Sequence, residues 1–199
     1  MSKVIILDNG HAGMVGGKYL TPGKRSPDWQ FGVLYEGMFN RWVVNLMMRE
    51  LDYAGVPYYH VSPELYDVSL ATRVKRANLI HKKYPNAYLF SLQANAGGGT
   101  GTEGFTTDGH TESDEIAEAY LANFQDEFET KGMRMRFDLK DGDRDKEAAF
   151  FVLRKTSCPA FLFETGFMDH KEDYRKLWSQ DFQQAVACNL AKTAIQLYE

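Results

Sequence analysis

The stretch Ala87-Tyr-Leu-Phe-Ser-Leu-Gln93-Ala-Asn95-Ala-Gly-Gly-Gly-Thr-Gly101 decides the fold. Its first half, Ala87 to Leu92, is apolar and aromatic without a charge, which predicts a buried strand. The strand runs into Gln93, Asn95 and then a glycine-rich flexible loop. On its N-terminal side, residues 69–84 read as a helix ended by Pro85. Further out, Val56 to Val61 read as a strand. Residues 35–54 place Phe39, Val43, Leu46, Met47 and Leu51 at helical spacing, and Gly55 and Pro57 close that helix. Val4 to Leu7 form a short apolar strand that ends at Asp8-Asn9-Gly10. Residues 10–33, rich in Gly, Pro and Lys, read as a long loop, and such loops in small domains are usually functional or disordered.

On the C-terminal side the alternation continues. Residues 103–107 read as a strand. Thr111 to Asp114 resemble a capping box opening a helix over 112–130. Arg134 to Leu139 alternate like a strand, 140–147 form a charged loop, and 148–155 fit helix or strand. Ala160 to Phe163 form a strand ending at Glu164. From Ser179 a helix presents Phe182, Val186, Leu190, Ala194 and Leu197 on one face. Strands alternating with helices predict a single α/β domain over 1–199, with a mixed, mostly parallel sheet of roughly six strands covered on both faces.

Composition sets bounds. With 199 residues, 44% apolar and 25% charged, the chain is a globular domain large enough for its own core. A net charge of −4 gives no basic footprint for nucleic acid. Cys158 and Cys188 are too few and too far apart for a disulfide framework or a zinc ribbon, and read as two buried thiols. The four-residue apolar run before Asp8 is too short for the core of a signal peptide, and no stretch approaches the ~20 apolar residues that span a bilayer. The expectation is synthesis in the cytoplasm without an export signal, no membrane insertion and a monomeric protein.

Three strands lead to reactive side chains: the first to His11, the third to Gln93 and Asn95, the late one to Glu164. In open α/β sheets, ligands gather outside the carboxyl ends of strands. Glu36, opening the first helix, faces the same edge if that helix returns antiparallel to the strand. A catalytic zinc takes three N or O ligands and keeps one position open for water. A further carboxylate then moves the water's proton to the leaving group. Each residue also has a plainer reading: a hydrogen-bonded loop histidine, a glutamate favourable to a helix N-terminus, a structural ion pair.

The motifs together resemble the zinc-dependent N-acetylmuramoyl-L-alanine amidases of the autolysin and phage endolysin type, often called amidase-3. The matching pieces are Leu7-Asp-Asn-Gly-His11-Ala-Gly13, Tyr35-Glu36-Gly-Met-Phe-Asn40, Ser91-Leu-Gln93-Ala-Asn95-Ala96, Thr102-Glu-Gly-Phe105, Phe151-Val-Leu-Arg154, and Pro159-Ala-Phe-Leu-Phe-Glu164-Thr-Gly-Phe167. The resemblance implies His11 and Glu36 as zinc ligands, Glu164 as general base and acid, and Asn95 and Arg154 on the substrate. It implies cleavage of the amide between muramic acid and L-alanine in peptidoglycan. The phage type implies action on the wall after release through a membrane hole.

One position departs. Gln93 stands where the family has histidine, and a neutral amide oxygen is a poorer zinc donor than imidazole. Three readings stay open: an inactivating substitution, a weak ligand in a working enzyme, or a pseudoenzyme that binds muropeptides or a partner without metal. The intact neighbouring motifs favour the first. His110 replaces the missing imidazole only if the chain after Phe105 folds back. Gly23 to Pro27 and Trp29 suit contacts to glycan or peptide carboxylates, or a solvated loop with one buried Trp. The glycine run has no Gly-Lys-Ser/Thr after it, so it is no phosphate loop. The acidic run Glu112–Glu118 reads as a solvated helix face.

Overall fold

The computed structural model describes residues 2–140 and 142–199. In chain order the elements are β1 (Val4–Asn9), β2 (Met14–Val15), β3 (Lys18–Tyr19), α1 (Glu36–Ala54), β4 (Tyr58–His60), α2 (Leu70–Lys83), β5 (Ala87–Asn95), β6 (Glu103–Thr106), α3 (Glu112–Phe128), β7 (Lys146–Glu147), α4 (Phe151–Lys155), β8 (Ala160–Phe167), α5 (Lys171–Trp178) and α6 (Gln180–Tyr198). Six strands form one sheet in the order β4-β1-β5-β8-β6-β7. Pairing is parallel except between β6 and β8.

Strand alternation sorts the core into two layers. Ile5 and Leu7 of β1, Tyr88 and Phe90 of β5, and Phe161 and Phe163 of β8 face one way. They pack with Val43 and Met47 of α1, Tyr120 and Phe124 of α3, and Val186 and Leu190 of α6. The residues between them, Val4, Ile6, Ala87, Leu89, Ala160 and Leu162, face Val74 and Ala77 of α2 and Val152 and Leu153 of α4. The central strands are buried on both faces, so they read as nearly continuous apolar runs.

Helix ends follow local chemistry. Gly55 takes φ 67° after α1 and its N–H donates to Asp52 O. The Thr111/Asp114 capping box is formed at the start of α3. No helix among the described residues is long and apolar enough to cross a membrane.

Several expectations need correction. Residues 134–139 do not form a strand. Met133, Met135 and Phe137 alternate because they pack on the core, and this segment joins the sheet only at the Thr102–Met135 bridge. The strand pairing with β6 is β7 instead. Of the charged loop expected over 140–147, residue 141 lies outside the described residues. Residues 151–155 are helical, and the loop 10–33 contains the β2–β3 hairpin. Strand β8 continues through Glu164 to Phe167, so this carboxylate sits within a strand. Helix α5 is absent from the expected elements, although Tyr174, Leu177 and Trp178 recur at helical spacing among its charged residues. Only Cys158 is buried; Cys188 is exposed on α6.

Candidate active site

His11 follows β1 with φ 66°, the one non-glycine residue among those described with positive φ. Such a backbone costs about 1–3 kcal/mol and persists where the surroundings impose it. Gly10 N–H donates to Leu92 O at 3.0 Å, Asn40 Nδ2 to Gly10 O at 3.2 Å, and Ala12 N–H to Thr21 Oγ1 at 2.9 Å. Helix α1 abuts the same turn: a Cβ on Gly37 would lie 2.0 Å from Ala12 O, so only glycine permits this approach. The contact sets Glu36, 3% exposed, against the histidine. His11 Nε2 and Glu36 Oε1 are 3.3 Å apart, and the same oxygen accepts from Ala94 N–H at 3.3 Å.

Gln93 stands on β5 beside them. Its side chain packs over Gly10, where an added Cβ would come within 1.9 Å of Gln93 Oε1. Its Nε2 donates to Ser91 Oγ at 3.1 Å, and Ser91 donates to Asp8 Oδ2 at 2.8 Å. Asp8 and Ser91 are register partners on β1 and β5. Asp8 also accepts from Ser62 Oγ at 2.7 Å and from Arg73 Nη1 at 2.6 Å, and Asp8 and Arg73 are 1% and 3% exposed. Position 93 is therefore oriented by a buried chain ending at an ion pair. Replacing Arg73 with Met strands the buried Asp8 charge. We expect a loss of about 3–5 kcal/mol in a urea unfolding curve. A loss under about 1 kcal/mol would mean the pair contributes nothing that water cannot replace.

Glu164 completes the group. On β8 it is the register partner of Gln93 on one side and Glu103 of β6 on the other. Its Oε2 is buried without a hydrogen-bond partner among the described residues. Desolvation, then repulsion from Glu36 and Glu103, hold its carboxyl well above the usual range, with Lys24 acting the other way. Glu103 is paired with Arg136, and with Lys146 at 3.3 Å.

These side chains line a cleft of about 620 Å³. His11, Glu36, Gln93, Asn95 and Glu164 border it, with Lys24 from the long loop and an apolar wall of Leu70, Phe150 and Phe151. Asn95 lies at the rim, its Nδ2 donating to Glu103 Oε2 at 3.4 Å. Arg154 is not in this cleft; it lines a neighbouring cavity with Thr107, Asp108 and Glu147. His110 is exposed and lies 3.9 Å from Asp114, so it does not replace an imidazole at position 93. Trp29 is half-buried and meets Tyr174 edge to face.

The family model for N-acetylmuramoyl-L-alanine amidase matches residues 5–196. The chain belongs to this amidase family. It is 32% identical over 165 residues to N-acetylmuramoyl-L-alanine amidase CwlM of Bacillus licheniformis, which covers 78% of this chain and 59% of that protein. It is 31% identical over 120 residues to the sporulation-specific N-acetylmuramoyl-L-alanine amidase of Bacillus subtilis (strain 168), covering 60% and 42%. The chain thus spans less than two thirds of these curated relatives. Among solved structures, the N-acetylmuramoyl-L-alanine amidase from Clostridium difficile 630 superimposes with a TM-score of 0.74 at 22% identity, covering 98% of this chain and 94% of that one. Cwp6 from Clostridium difficile gives 0.77 at 20%, covering 100% and 30%. These likenesses establish the amidase fold.

Within this amidase fold, sequence reasoning missed the apolar wall and the Asp8–Ser91–Gln93 chain. Asp8 did carry a signal: like Glu164, it ends a buried apolar run and so is held in a desolvated place.

Proposed function

We propose that this chain is a zinc-dependent N-acetylmuramoyl-L-alanine amidase acting on peptidoglycan, with His11, Glu36 and Gln93 as metal ligands and Glu164 as general base and acid. The observation that carries the reading is the 3.3 Å approach of His11 Nε2 to Glu36 Oε1 in a cleft shared with a buried, unpartnered Glu164 oxygen. Two donors at about 2.0–2.1 Å from a tetrahedral ion stand about 3.3–3.4 Å apart, so this pair fits zinc without rearrangement. Gln93 adds a neutral amide, a weaker donor.

Zinc, when bound, polarises the scissile carbonyl and acidifies a water. The protein's own groups do the rest. His11 and Glu36 fix the place of the reaction through a strained turn and a helix start that cannot shift independently. Glu164 takes the proton of the attacking water and delivers it to the departing L-alanine nitrogen. Its desolvated position gives it the high proton affinity an acid needs in the second step. Lys24 lies where it meets a carboxylate or a developing negative charge. Leu70, Phe150 and Phe151 offer an apolar surface to the substrate. The place of action is the peptidoglycan wall.

Gln93 favours one second reading, a muropeptide-binding module without turnover. Digestion of purified sacculi separates the two. The amidase reading expects intact stem peptides with a newly free L-alanine amine and no new reducing ends. Shortened stem peptides would make the protein a peptidase. Binding to sacculi without release, both here and in the Gln93→His variant, would make it a binding module.

A further inference from the structure

A second groove opens beyond the cleft wall. Phe151, 42% exposed, stands between the two and lines both. The groove encloses about 530 Å³ between α2 and α4. Its apolar side comes from Val74 and Leu79 of α2 together with Phe151, and Leu79 is 61% exposed. Its polar side is of one sign. Lys75, Lys82 and Lys155 line it, and no carboxylate is among the described residues that do. This local charge is opposite to the net −4 of the chain.

The two helices that form the groove are tied together. Asn78 Nδ2 donates to Lys155 O at 3.1 Å, and Asn78 Oδ1 accepts from Ser157 N–H at 2.7 Å. Beneath these bonds Val74 and Ala77 pack with Val152 and Leu153. The direction of the groove follows from the topology. Strands β4 and β5 both run parallel to β1 and finish on the edge that carries the cleft. Helix α2, which joins them, therefore runs back from that edge. Its first residue, Leu70, is on the cleft, and Lys82, in its last turn, is at the far end of the groove. From Ala71 to Lys82 the helix rises about 16 Å. A peptide of about five residues, extended at about 3.3–3.6 Å each, covers the same length.

We propose that this groove seats the stem peptide where it leaves the cleft, a role that rests on the amidase reading of the cleft. A stem peptide combines small alanine side chains with free carboxylates, the counterparts of the apolar side and of the lysines. The scissile amide joins its first residue. With that amide beside Glu164, the rest of the stem passes over Phe151 and along α2. Alanine methyl groups are covered by Val74, Leu79 and Phe151, and the three ammonium groups select carboxylates over their amides. The groove takes no part in bond cleavage. It sets which stems the cleft accepts.

The test is calorimetric titration of the whole chain with the synthetic stem pentapeptide L-Ala-D-Glu-L-Lys-D-Ala-D-Ala, linked through the D-glutamate γ-carboxyl, and with its diamide. The free peptide has no amide to the muramic acid, so binding is read apart from turnover. The free-carboxylate peptide should bind about tenfold or more tighter than the diamide. Lys75→Glu/Lys82→Glu, at exposed positions of α2, should lose about tenfold or more for the first peptide and little for the second. If the double variant does not fold, Lys155→Glu on α4 is read in the same way. No binding at millimolar peptide, equal affinity for both peptides, or binding undiminished in the variant that folds would overturn the proposal. So would a dimer of the parent that the variant dissociates, which would make the groove a contact between copies. Release of intact stems from sacculi alongside any of these results leaves the amidase reading standing without the groove. Peptide binding as expected, with no release by the parent or by Gln93→His, would keep the groove and remove the amidase reading.

Discussion

Glu164→Gln is expected to reduce kcat/KM on sacculi by about 10²–10⁴-fold, the usual worth of a positioned general base, while leaving zinc content unchanged. The substitution is nearly isosteric, so the sheet has no reason to move. Glu164 sits within β8, with Gln93 and Glu103 as register partners. Its Oε2 has no hydrogen-bond partner to lose, and the charged form is opposed by desolvation and two neighbouring carboxylates. An uncharged amide is therefore tolerated, and the thermal midpoint should hold or rise. What the amide lacks is the capacity to accept the water's proton and return it. Activity, zinc content and midpoint together separate the alternatives. Loss of zinc would make Glu164 a ligand, and a fall in midpoint with proportionate loss of activity would make it structural. Activity within tenfold of the parent would remove it from the reaction. The experiment is run in the parent if that turns over, and otherwise in the Gln93→His background.

The physical reason for what the sequence disclosed is periodicity. Strands β1, β5 and β8 are buried on both faces, so each is a run of apolar residues broken where the chain emerges at reactive groups. Helix α1 is legible from Phe39, Val43, Met47 and Leu51, and its end from Gly55. Because the parallel strands all finish on one edge, His11, Gln93 and Glu164 converge there, and Glu36 joins them from the helix that follows the first loop. Other features depend on pairing that local patterns do not encode. The antiparallel insertion of β6 beside β8, which puts Glu103 next to Glu164, is a property of sheet order. Met133, Met135 and Phe137 alternate for packing and so mimic a strand. Arg154 lies in a motif shared with the family, yet α4 carries it into a neighbouring cavity. The Asp8–Ser91 bond joins residues 83 apart in sequence and needs the exact register of two strands, which composition does not set.

That bond matters most for the second large effect. Gln93→His is expected to raise zinc affinity by more than the roughly 10–100-fold that an outer hydrogen-bond partner of a ligand is worth, and to bring zinc content to about one per chain. The surroundings already suit an imidazole. Ser91 Oγ gives its proton to Asp8, so it presents a lone pair towards position 93, where it accepts from Gln93 Nε2. A ring N–H makes the same bond, which fixes the tautomer and leaves the other nitrogen unprotonated, as a metal requires. Gly10, lacking a Cβ, leaves the room the side chain at 93 now uses. The glutamine keeps the orienting hydrogen bond but substitutes an amide for an imidazole donor. Elemental analysis of both proteins, with peptide release from sacculi alongside, decides the matter. A gain of zinc and of activity together identifies Gln93 as the one impaired element of an otherwise complete hydrolytic site. Equal zinc and equal activity in both would make the amide a sufficient ligand. Zinc gained without turnover would move the defect elsewhere in the cleft, with Lys24 and the Phe150–Phe151 wall the next groups to vary.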